Sequence, residues 1–128
     1  MDDAKMAELL GEALLKYGVG IGEKAVKKIL KHLPTDTETA VIPRKGISRE
    51  AVRDALIKTG TVLEENIVGE SFVISVPSGI LDLNAALIVV KLEDQNIHMI
   101  GYAKEGIIKQ DTVGKALEKI QKHISLFE

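Results

Sequence analysis

The sequence predicts an α+β fold: an antiparallel four- to five-stranded sheet with packed helices, preceded by an N-terminal helical hairpin. Three observations carry that expectation. Ahead of Pro34, apolar residues recur at three- and four-residue steps in two separate segments, the period of helices with one buried side. Between residues 61 and 103, four short segments rich in β-branched residues alternate with compact polar links, as in consecutive hairpins. The chain then closes on an amphipathic segment whose apolar stripe needs a sheet to cover.

Composition agrees with a packed globule. The 128 residues are 45% hydrophobic and 28% charged, which fits one ordinary domain with its own core. Within that single domain, 1–34 reads as the helical hairpin and 38–128 as the α/β sandwich portion, with the change of character at 34–37. The net charge of −2 argues against a polycationic nucleic-acid coat and against a polyacidic tail. The absence of Cys excludes a disulfide framework, a thiol nucleophile and a cysteine metal cage. The start, Met1-Asp2-Asp3, is acidic where a secretory signal is basic, and the longest aliphatic run is Ala85–Val90. That run falls far short of the ~20 apolar residues that span a bilayer. The expectation is a cytoplasmic chain.

The first helix covers 3–17, with Met6, Leu9, Leu10, Ala13 and Leu14 on one side. Gly18, Gly20 and Gly22 interrupt it, each costing a helix about 1 kcal/mol relative to Ala. A second helix follows over 22–33, carrying Ala25, Val26, Ile29, Leu30 and Leu33, and Pro34 stops it. Thr39–Ile42 reads as a short strand ended by Pro43. Ser48 suits the N-cap of a helix over 49–59, and Gly60 suits a left-handed C′ residue. Thr61–Ile67 and Phe72–Val76 form one hairpin; 86–92 and 97–103 form another, with Asn96 fit for a left-handed turn position. The last helix runs from about 112 to 126, capped by Asp111 or Thr112, with Val113, Ala116, Leu117, Ile120, Ile124 and Phe127 in one stripe.

Residues 86–103 are apolar on both faces of their strands, whereas a half-exposed antiparallel strand alternates apolar with polar. Either the N-terminal hairpin or a second copy of the chain must cover the second face.

Two basic clusters stand out. Lys24, Lys27, Lys28 and Lys31 lie opposite the apolar stripe of the second helix, a pattern that suits a partner groove or a membrane surface as well as a solvated face. Arg44, Lys45, Arg49 and Arg53 include every Arg in the chain and gather around a helix N-terminus, a setting fit for a phosphate or carboxylate. The alternative for that cluster is local pairing with Glu50 and Asp54. The glycine-dense stretch Gly18–Gly22 follows a helix rather than a strand, and no Lys-Ser/Thr pair closes it, so it reads as a helix–helix link rather than a nucleotide loop.

Catalytic and metal patterns are missing from the sequence. His32, His98 and His123 have no His or carboxylate at ligand spacing on a shared helix, and no cofactor or metal motif is present. Glu64 and Glu65 are neighbours on a strand, so they face opposite sides and do not act together. Without aromatics interleaved among the basic residues, single-stranded nucleic acid is not an expected partner. The reading is a non-catalytic interaction or regulatory module that self-associates or binds another protein. The alternative is a small anion-binding domain or enzyme built on the Arg44–Arg53 cluster.

Overall fold

The computed structural model describes residues 3–17, 37–79, 84–104 and 110–127. Along the chain run α1 (Asp3–Tyr17), β1 (Thr37–Pro43), α2 (Arg49–Thr59), β2 (Thr61–Asn66), β3 (Ser71–Ser78), β4 (Asn84–Leu92), β5 (Asn96–Tyr102) and α3 (Thr112–Ser125). The strands form one five-stranded antiparallel sheet in the order β1-β5-β4-β3-β2. The α+β class expected from the sequence is the class observed. The predicted helix over 22–33 and the Gly18–Gly22 link lie outside the described residues. None of the helices among the described residues is long and apolar enough to cross a membrane.

Strand alternation divides the core in two. Phe72, Ile74, Ile88, Val90, Leu92, Ile97 and Met99 point to one face, where α2 and α3 cover them with Val52, Leu56, Leu117, Ile120 and Ile124. Val73, Val89 and Ile100 point to the other, where α1 lays Met6, Leu10, Ala13 and Leu14 over them. The doubly apolar strands thus find their second cover in α1 of the same chain. Burial of this kind stabilises by about 1.5–3 kcal/mol per large aliphatic side chain.

Local chemistry sets the element ends, in three places differently from the expectation. Ser48 does cap α2, accepting from the Ala51 N–H at 3.1 Å. Gly60 does not take the left-handed conformation; at φ −167° its backbone is extended. Its requirement is space, because a Cβ there would lie 2.2 Å from the Ser75 carbonyl oxygen across the β2–β3 ladder. Asn96 has no positive φ either: it opens β5 opposite Pro43, and its carbonyl accepts from the Glu93 N–H at 2.9 Å. Asp111 occupies the N-cap of α3 at φ 52°, with no side-chain cap bond, so only its carbonyl serves the first turn, accepting from Lys115 N–H at 3.0 Å. Thr112, at the start of α3, is tied instead to Asn84 and Ser78.

Two strands take in a proline that the sequence places outside them: β1 ends on Pro43, and β3 continues past Pro77 to Ser78. Leu92 N–H donates to the Glu70 carbonyl, which sets the phase of the β3–β4 ladder so that odd residues of β3 face β2. Pro77 is odd and lies past Thr61, the residue of β2 that pairs with Ser75, so its missing N–H breaks no bond of that ladder. Its carbonyl accepts instead from the Lys119 ammonium at 2.7 Å.

Candidate functional site

The arginine cluster resolves into two groups. Arg44 Nε donates to the Ile47 carbonyl at 2.8 Å and its Nη1 to the Glu93 carbonyl at 3.1 Å, tying the β1–α2 loop to the β4–β5 turn. Lys45, beside it, sits in the left-handed region at φ 53°. Arg49 and Arg53, one turn apart on α2, flank a single carboxylate. Arg49 Nη1 donates to Glu65 Oε2 at 2.6 Å, and Arg53 Nη1 lies 3.6 Å from Glu65 Oε1. Glu50 is a further neighbour at 3.5 Å. The sequence offered Glu50 and Asp54 as partners because both are close in the chain. Glu65 reaches the arginines only after the chain turns at Gly60 and returns as β2. The Lys24–Lys31 face lies outside the described residues.

Glu64 and Glu65 diverge as strand alternation requires. Glu64 turns to the α1 side, where the Lys16 ammonium donates to it at 3.1 Å and the Tyr17 hydroxyl at 3.4 Å. That contact holds the Lys16 ammonium above its ordinary pKa, through the hydrogen bond first and the carboxylate charge second. A groove of about 400 Å³ lies between α1 and the β2–β3 hairpin, lined among others by Leu9, Ala13, Glu64, Val68 and Val73. His98 is buried with Nδ1 3.4 Å from Glu93. His123 Nδ1 lies 3.0 Å from Thr59 Oγ1 and 2.9 Å from the Lys119 carbonyl. Since the Thr59 hydroxyl gives its proton to the Ala55 carbonyl at 2.7 Å, Nδ1–H is the donor, and it pins the end of α3 to α2. Among the described residues, no three His, Asp or Glu side chains are grouped to hold a metal ion.

The two outer strands, β1 and β2, differ in what they leave open. Arg44 N–H donates to the Gln95 carbonyl at 2.9 Å, one step beyond the Pro43–Asn96 pair. Hydrogen-bonded pairs alternate along an antiparallel ladder, so this bond fixes the phase of β1. Glu38, Ala40 and Ile42 direct their main-chain groups to β5, while Thr37, Thr39, Val41 and Pro43 direct theirs outward. Pro43, the residue without an N–H, therefore has its nitrogen on the outer side, where no β5 partner is lost. Thr39 and Pro43 are exposed, and Val41 keeps 55% of its surface in solvent. The register with β5 is regular over all seven residues. Sequence reading did not single out this edge, although a proline closing a β-branched segment is an edge-strand signal.

Searches of protein-family models, curated proteins and solved structures with this chain found no match.

Proposed function

We propose that the chain is a non-catalytic interaction module that associates with copies of itself. The observation that supports this reading is the outer side of β1: a regular, exposed strand beside whose outward N–H and C=O groups no strand lies among the described residues. Such an edge is a ready template for another strand. With helices on both faces of the sheet, its side is where pairing adds most.

The alternative, an anion-binding domain or enzyme using Arg44, Lys45, Arg49 and Arg53, has the surrounding contacts against it. An incoming anion would compete with Glu65 for both α2 guanidinium groups and with two carbonyls for Arg44.

The test is a solution mass across a wide concentration range, with amide exchange followed in parallel. The expected outcome is a mass of two chains and slowed exchange at Thr37, Thr39 and Val41 as concentration rises. A mass of one chain throughout removes the reading.

A further inference from the structure

We infer that β1 pairs antiparallel with β1 of a second copy about a two-fold axis at Ala40, joining two five-stranded sheets into one. This rests on the self-association reading above and names the surface and register that it uses.

Phase comes first. Only Thr37, Thr39, Val41 and Pro43 present main-chain groups outward, so in a β1–β1 ladder these odd residues must lie opposite odd residues of the partner. Centring the axis on Ala40 sets Thr39 opposite Val41 of the partner subunit and Thr37 opposite Pro43 of the partner subunit. All seven residues of each strand then overlap. The ladder holds about six main-chain hydrogen bonds, Pro43 supplying an acceptor only. Moving the axis to Val41 lowers that number to about four, because Pro43 then faces Thr39.

Charge decides against the remaining neighbour. With the axis at Thr39, the two Glu38 side chains become diagonal neighbours on one face, roughly 8 Å apart. With the axis at Ala40 they stand ~14 Å apart, beyond the Debye length of ~8 Å at physiological salt. Glu38 then lies opposite Ile42 of the partner subunit, with Arg44 of the partner subunit next on the same face. Each strand carries its acidic residue toward its start and Arg44 just past its end, so an antiparallel second copy is the complementary occupant.

Side chains fit the same arrangement. Val41, 55% exposed in one chain, gains the β-branched Thr39 of the partner subunit as its cross-strand neighbour. The strand has no bulge and no lysine that turns such pairing away, and its one charge, Glu38, lies on the α3 face near Asp111.

The chain has no cysteine, so single substitutions report the register directly. In the Ala40-centred ladder the two Ala40 Cα atoms form a non-hydrogen-bonded pair ~4.5 Å apart, within disulfide reach, whereas Thr39–Thr39 and Val41–Val41 separations are ~8 Å. The 128-residue chain carrying Ala40→Cys, Thr39→Cys or Val41→Cys is oxidised under mild conditions, and Val41→Lys is examined by solution mass and circular dichroism. The expected result is efficient covalent dimer from Ala40→Cys alone, and a folded monomer from Val41→Lys. Cross-linking at Thr39→Cys or Val41→Cys instead of Ala40→Cys overturns the axis position. A wild-type dimer that persists in Val41→Lys, with none of the three cross-linking, overturns the edge while self-association stands. A wild-type monomer at every concentration removes the self-association reading itself.

Discussion

Among the described residues neither outer strand of the sheet, β1 or β2, has a strand on its outer side, yet the chain treats the two differently. β2 is six residues long and its register with β3 slips between Val62 and Glu64. A bulge of this kind twists a strand and disrupts the row of groups that a foreign strand would need. Two adjacent glutamates on β2 are then anchored from opposite sides, Glu64 by Lys16 and Glu65 by Arg49 and Arg53. β1 has none of these devices. Its one acidic residue, Glu38, faces the Asp111 carboxyl at the start of α3, and the charges that reach it among the described residues are the carboxyls of Asp111 and Glu118. The difference teaches that, among the described residues, charge and irregularity guard one side of the sheet and not the other.

The largest effect expected is one that both edges share. Ile120 is fully buried in the layer beneath α2 and α3, and its truncation removes packing from the whole sheet. Ile120→Ala is expected to cost about 2–5 kcal/mol of unfolding free energy, measured by urea titration. Because the core is common, amide protection should fall at β1 and β2 alike. A loss well under 1 kcal/mol, or one confined to a single edge, would break the picture of one sheet with two differently finished sides.

A smaller and one-sided effect is expected at β2. Glu65→Gln leaves Arg49 a neutral acceptor and strips both guanidinium groups of their shared charge. Hydrogen bonds to charged groups contribute about 1.5–3 kcal/mol, and solvent access at these side chains lowers this to roughly 1–2 kcal/mol. The variant also frees the two arginines for an external anion. Salt-sensitive phosphate binding in Glu65→Gln but not in wild type would place Glu65 as the occupant of that cluster. Equal binding in both proteins would restore the anion-binding reading.

Much of the fold is legible in the sequence because its signals are local. The α3 stripe, the Ser48 cap and the doubly apolar strands need only spacing to be read, and the opposite facing of Glu64 and Glu65 follows from strand period alone. What the sequence hides is long-range or a matter of phase. Gly60 reads as a helix terminator, and only the approach of the Ser75 carbonyl shows that lack of a Cβ is the requirement. Arg49 and Arg53 read as open either to an anion or to local pairing with Glu50 and Asp54, until β2 returns with Glu65. The open edge depends on which residues of β1 point toward β5, a parity that a single main-chain bond at Arg44 decides and no propensity encodes. The Lys24–Lys31 face was equally prominent in the sequence, but it lies outside the described residues.

The smallest effect expected belongs to β1 and has the opposite sign to that of an ion-paired acid. Partial loss of hydration raises the Glu38 carboxyl above its ordinary pKa of 4.5, and the Asp111 carboxyl, with Glu118 further off, adds to the shift. An acid whose pKa is raised on folding binds more protons folded than unfolded, so stability falls as pH climbs through that window. Below the ordinary value both states are protonated and Glu38 contributes nothing; above the raised value the cost of the ionised carboxylate is complete and constant. Glu38→Gln removes the titrating group but keeps a polar side chain at the strand. Urea unfolding of wild type and variant from pH 4 to 7, in a Val41→Lys background so that association does not enter, should give curves that meet at the acid end. They should separate as pH rises from about 4.5, the variant becoming the more stable. A constant offset across the range would mean that Glu38 is fully hydrated. A variant losing ground with rising pH would mean that a cation faces this edge after all, and the electrostatic contrast between β1 and β2 would fail.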